Sequence, residues 1–160
     1  MTDQINKKIM FGILMFISLI LFSAFIIEYK LGYKPCKLCI YERIPYFLAL
    51  LFIIKILVSE NFQKLTLFIL SLIFFSSSVL AFYHFGIEQG IFSESFVCKT
   101  ENISEILSKE ELLEKLNLNT ISCKDVTFKV LGFSLASINT IISILLTILF
   151  MRLFINYGKN

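Results

Sequence analysis

The four cysteines are the residues best able to do chemistry, and they come in two pairs. Cys36 and Cys39 form a C-x-x-C, while Cys98 and Cys123, further along the chain, have 24 residues between them. Three kinds of site use such a set. A C-x-x-C with two further cysteines can ligate zinc, but the wide spacing of Cys98 and Cys123 argues against it. A compartment that oxidises thiols also disfavours four free thiolates, so no metal is expected. Purely structural disulfides are the second possibility. However, a bond within C-x-x-C closes too small a loop to restrain the unfolded chain much. The third, favoured possibility is exchange of electrons between two dithiol–disulfide pairs.

The neighbours of Cys39 suit that third reading. A helix beginning near Cys39 or Tyr41 would turn its first N–H groups, and the positive end of its dipole, toward a thiolate there. Arg43 follows four residues later, one helical turn on, and Lys37 lies between the two cysteines. Glu42 opposes them, with a direction the sequence does not reveal. The expectation is a lowered pKa at Cys39, making it a good leaving group or electron donor. For Arg43 the plainer role is an interfacial anchor. His84, the sole histidine, could bond a ligand or relay a proton, or simply be satisfied by backbone.

The elements that carry these residues are membrane spans. Of 160 residues, 57% are hydrophobic and 17% charged, with a mean hydropathy of +0.81. Ordinary soluble chains are about 45–50% apolar with glycine included, so the excess must face lipid. Trp is absent, leaving Tyr to supply any interfacial aromatic belt. The net charge of +3 and the lack of a basic run speak against nucleic acid as a partner.

Four runs approach the roughly 20 apolar residues that cross a bilayer: Ile9–Ile27, Tyr41–Val58, Leu65–Phe85 and Leu131–Met151. The second is the weakest, since it holds Glu42, Arg43, Pro45 and Lys55. Pro45 falls in its first turn, where a missing N–H costs little. Lys55 falls in its last turn, where the ammonium can snorkel outward. The first run is too long for the usual h-region of about 7–15 residues, so it is expected to be retained rather than cleaved. The expected fold is an all-α integral membrane four-helix bundle in one domain, residues 1–160.

Four spans put both termini on one side with the short link Ser59–Lys64. That side holds Lys7, Lys8, Lys55, Lys64, Arg152 and Lys159 against Asp3 and Glu60, while the loop Gly86–Val130 holds five lysines against seven Glu and one Asp. The positive-inside rule places the termini in the cytoplasm and both cysteine pairs outside, where disulfides persist. The loop Glu28–Ile40 dissents with Lys30, Lys34 and Lys37. Within the long loop, Ile103, Ile106, Leu107, Leu112, Leu113 and Leu116 recur mostly at helical spacing, and Ser108 with Glu111 has the form of a capping box. A short amphipathic helix, lying on the membrane surface or packed on the bundle's outer ends, is expected there.

A dithiol at the rim of a span can pass electrons to an acceptor dissolved in lipid. A quinone takes two electrons, and Arg43 could stabilise charge developing on its oxygen. The motifs support this. The stretch Lys34-Pro-Cys-Lys-Leu-Cys-Ile-Tyr-Glu-Arg43 resembles the signature of the DsbB family, bacterial inner-membrane thiol:quinone oxidoreductases. The resemblance continues in Phe82-Tyr-His-Phe-Gly-Ile-Glu-Gln89, in Ser122-Cys-Lys-Asp-Val-Thr-Phe-Lys-Val-Leu-Gly-Phe-Ser134 and in Asn139. It covers nearly the whole chain.

The resemblance implies that Cys36, Cys39, Cys98 and Cys123 are catalytic. A reduced periplasmic DsbA-like thioredoxin-fold protein would attack a Cys98–Cys123 disulfide and form a mixed disulfide with Cys98. Exchange would carry the electrons to Cys36–Cys39, and Cys39 would hand them to ubiquinone or menaquinone. Arg43 would bind and polarise the quinone, His84 matches a position near it, and Glu88 and Asn139 read as polar contacts between helices. Lys37 within the C-x-x-C and the lysine-rich first loop depart from the family pattern and bear on redox potential and partner charge. A reductase resembling the vitamin K epoxide family is disfavoured, because its active C-x-x-C usually lies near the last span. The non-enzymatic alternative is a membrane subunit or redox sensor stapled by two outer disulfides.

Overall fold

The structure is a computed structural model, and it describes residues 7–59, 61–93, 98, 122–124, 128–130 and 132–157. Its helices are α1 (Lys7–Tyr29), α2 (Lys37–Tyr41), α3 (Ile44–Val58), α4 (Gln63–Glu88) and α5 (Leu135–Asn156). A two-residue antiparallel pair, β1 (Lys129–Val130) with β2 (Phe133–Ser134), leads into α5. The protein is an all-α membrane bundle. The amphipathic segment expected between Ile103 and Leu116 lies outside the described residues.

α1, α4 and α5 are each long and apolar enough to cross a bilayer. Their outer faces show why: Phe11, Leu19, Phe22, Phe75 and Leu145 are exposed, as residues solvated by lipid should be. α4 and α5 both bury small side chains, Ser77, Ser78 and Ala81 on one and Ala136, Thr140 and Ser143 on the other. Small residues let two helices approach closely where lipid offers no hydrophobic drive for association. Ser77 Oγ lies 3.1 Å from Ser143 Oγ, and the rings of Phe74 and Phe150 stack at 5.6 Å. Hydroxyls within the spans turn back onto their own helices, as Thr140 and Thr147 do onto the carbonyls of Ala136 and Ser143.

The second span differs from its expected form. Residues 37–58 form two helices, α2 and α3, with a turn at Glu42–Arg43 between them, and neither is among the three helices long and apolar enough to cross a bilayer. α3 alone has 15 residues, about 22 Å at 1.5 Å per residue, which is short for a hydrocarbon core of about 30 Å. Pro45 accounts for the break. It has no N–H to give the carbonyl of Tyr41, and its ring would clash there. The chain therefore ends α2 at Tyr41 and restarts with Pro45 in the first turn of α3. At the far end of α3, exposed Lys55 donates to Thr66 Oγ1 at 3.0 Å, tying α3 to α4. The fourth span also starts later than expected. Gly132, at φ 87°, closes the small hairpin, and Ser134 then caps α5 by accepting the N–H of Ser137 at 3.2 Å.

Candidate functional site

α2 is short, and its cap is a reactive residue. Cys36 holds an extended conformation at the N-cap, and its Sγ accepts the backbone N–H of Cys39 at 3.1 Å. The thiol of Cys39 also donates to that sulfur, and this bond is the main reason the pKa of Cys36 is lowered. Burial works against it, and the Cys39 amide adds to the lowering. Cys39 behaves in the opposite way. Its proton is held by Cys36, and burial and the nearby Cys36 charge push its pKa upward. The expected depression at Cys39 is thus corrected: Cys36 is the sulfur favoured as thiolate. The helix begins at Lys37, so its free amide at Cys39 points back to Cys36 and not to the Cys39 sulfur.

A buried polar chain continues from Cys36 into the bundle. His84, on α4, places Nε2 3.5 Å from Cys36 Sγ and Nδ1 2.7 Å from Glu42 Oε1. A carboxylate only accepts, so Nδ1 carries a proton and donates it to Glu42, while Nε2 faces the Cys36 sulfur. Glu42 is itself fixed, because Asn139 on α5 donates to its other oxygen at 2.6 Å. Tyr46 then donates to Asn139 Oδ1 at 2.5 Å and lies 3.3 Å from Ser143 Oγ. Glu88, one turn beyond His84, brings Oε1 to 3.9 Å from His84 Nε2.

Arg43 occupies the turn between α2 and α3. It pairs with Glu28 at 2.5 Å and lies over the ring of Phe25, 5.2 Å from its centroid, both on α1. A cavity of about 220 Å³ opens between α1 and α5. Ile20, Ala24, Ile27, Ile138 and Ile142 make its apolar wall, and Cys36, Cys39, Arg43, His84 and Cys123 make its polar end. The second cysteine pair reaches the same place. Cys98 and Cys123 are joined by a disulfide, whereas Cys36 and Cys39 are free thiols. Cys36, Cys98 and Cys123 belong to one buried cluster with Leu38 and Ile87.

Residues 6–153 match the family described as disulfide bond formation protein DsbB. The chain belongs to the DsbB family. It is also 33% identical over 156 residues to the uncharacterized protein RP370 of Rickettsia prowazekii (strain Madrid E), an alignment covering 96% of this chain and 90% of the relative. Membership of the DsbB family makes this a membrane protein of disulfide bond formation, a family known for oxidoreductase activity.

All six residues singled out in the sequence, Cys36, Cys39, Arg43, His84, Cys98 and Cys123, lie at this one end of the bundle. Sequence reasoning missed Glu42 as the partner that orients His84, and Glu28 as the partner of Arg43. Glu42 carried a faint signal, since a buried histidine on a neighbouring span needs an acceptor. Asn139 makes the interhelical contact expected of it.

Proposed function

We propose that the chain re-oxidises a periplasmic DsbA-like dithiol protein and passes the electrons to membrane quinone, ubiquinone or menaquinone. The observation that carries this reading is the meeting of both cysteine pairs in one buried cluster beside an apolar cavity that also exposes Arg43. Both termini are then cytoplasmic and the cysteine loops periplasmic.

The cavity suits a quinone. Its wall is aliphatic, Arg43 is its one strong cation among the described residues, and its polar end carries the dithiol. Arg43, held by Glu28, is available to bind a quinone oxygen, and the isoleucines of α1 and α5 would hold the ring. Quinone, when bound, supplies the acceptor for two electrons and two protons.

The protein's own residues do the rest. A partner thiolate attacks Cys98 Sγ and expels Cys123 as thiolate, and the partner's second thiol then releases Cys98. The Cys98–Cys123 dithiol next reduces the Cys36–Cys39 disulfide by the same kind of attack. The redox state seen here, with the outer pair oxidised and the inner pair reduced, is the state that follows this transfer. The pair then returns to a disulfide through Cys36, the favoured thiolate. His84 Nε2 can accept a proton from Cys36, and Glu42 stabilises the imidazolium so formed.

The test uses purified protein in detergent, a reduced DsbA-like partner and a soluble quinone analogue, with quinone absorbance followed in time. Consumption in the intact chain, falling to background in both Cys39→Ser and Cys98→Ser, is the expected result. Absence of consumption with ubiquinone and menaquinone analogues alike, in folded protein with its disulfide intact, would reject the proposal.

A further inference from the structure

The reduced inner pair has the makings of a metal site, and this does not depend on the identity of the electron acceptor. Cys36 Sγ, Cys39 Sγ and a ring nitrogen of His84 all lie within 4.8 Å of one another. Zinc bonds of about 2.3 Å to sulfur and 2.0–2.1 Å to nitrogen imply tetrahedral edges of about 3.6 Å for S···N and 3.8 Å for S···S. Cys36 Sγ and His84 Nε2 already stand 3.5 Å apart. The histidine is also prepared in the manner of a metal ligand. Glu42 holds Nδ1 at 2.7 Å, the carboxylate–histidine arrangement that fixes tautomer and ring direction in zinc sites.

A fourth ligand is at hand. The Glu88 side chain is 7% exposed, and its Oε2 is buried without a hydrogen-bond partner among the described residues. Buried carboxylate oxygens are rarely left so. Ser134 bonds the same carboxyl group, which leaves the second oxygen to be explained. Oε1 lies 3.9 Å from His84 Nε2, within about 0.5 Å of a tetrahedral N···O edge. Cys36, Cys39, His84 and Glu88 all line the cavity between α1 and α5, which supplies an entry path.

We propose that the reduced protein binds one Zn2+ through Cys36, Cys39, His84 and Glu88, with Glu42 supporting His84. Binding replaces the two thiol protons, which leave to solvent, and moves no electrons. The metal withholds both sulfurs from exchange, so zinc acts as a brake that engages only when the inner pair is reduced. Oxidation to the Cys36–Cys39 disulfide removes two ligands and releases the ion.

The test uses the full-length Cys98→Ser/Cys123→Ser chain in detergent, where Cys36 and Cys39 are the only thiols, with folding checked by helical circular dichroism. Co2+ is the spectroscopic probe, and neither quinone nor partner protein is present, so failure here and failure of the electron-transfer proposal are separate results. The expected outcome is one Co2+ per chain with thiolate-to-cobalt charge-transfer bands and intense tetrahedral d–d absorption. Stoichiometric Zn2+ should erase those bands, and oxidising the inner pair should abolish them. Glu88→Gln, nearly isosteric, and His84→Ala should each weaken Zn2+ binding at least about tenfold, and Glu42→Gln about 10–100-fold. Weak octahedral cobalt absorption, or Zn2+ affinity unchanged in folded Glu88→Gln or His84→Ala protein, would overturn the four-ligand site.

Discussion

Within the C-x-x-C, the two sulfurs are not equivalent. Cys36 receives both the thiol and the amide of Cys39, so its charge is spread over two donors, while Cys39 must break a hydrogen bond to ionise. In metal-free reduced protein, one thiol should therefore titrate below the ordinary value of about 8.5 and the other above it. Single variants separate the causes. Cys39→Ser keeps an O–H donor for Cys36, whereas Cys39→Ala keeps only the amide. Thiolate ultraviolet absorbance against pH should place the Cys36 transition lower in Cys39→Ser than in Cys39→Ala. Equal midpoints would mean the thiol–thiol bond does not tune Cys36. The sequence led us to expect the lowered pKa at Cys39, whereas it falls on Cys36, because the outcome turns on whether a helix begins at residue 37 or 41. Element boundaries to that accuracy are set by Pro45 and by tertiary packing more than by local preference.

The elements themselves were more legible than their ends. Three uninterrupted apolar runs became α1, α4 and α5, each overrunning its expected limits by a few residues at one or both ends. The charged second run became two helices, which its Pro45 could have announced. Nothing in the sequence pointed to the turn after α4, where the amides of Ile91 and Phe92 both return to the carbonyl of Gly86, at 2.8 and 3.2 Å. This folds the Phe92 ring onto Gly86 and stacks it on Tyr83 with centroids 5.6 Å apart. A Cβ at position 86 would come within 2.1 Å of that ring. Gly86→Ala should accordingly destabilise the protein by ~1–3 kcal/mol, the usual cost of overpacking, and lower its thermal midpoint in detergent. Phe92→Ala in the same chain should recover part of that loss by removing the clash. A midpoint unchanged by Gly86→Ala alone would show that Phe92 moves aside freely and does not close the end of α4.

At the scale of the whole molecule, the charge distribution and the cysteine chemistry make the same demand. Both pairs share one end of the bundle, so either orientation places them on the same side of the membrane. The loop Gly86–Val130 is acidic on balance, and the opposite end carries Lys7, Lys8, Lys55, Lys64 and Arg152, an excess that cytoplasmic flanks normally hold. Lys30, Lys34 and Lys37 pull the other way, but the first and second spans flank them closely and α2 is held in the bundle by buried Leu38 and Glu42. The cytoplasmic excess is expected to prevail. A green fluorescent protein fused after Asn160 should then fluoresce in bacterial cells, and alkaline phosphatase fused after Ser93 should be active. Replacing Lys30, Lys34 and Lys37 by Gln should leave both signals in place or strengthen them, since it removes only the opposing charge. A silent C-terminal fluorescent fusion together with an inactive phosphatase after Ser93 would put the cysteines in the cytoplasm. There, reducing conditions would keep both pairs as thiols, and neither could serve as an oxidant.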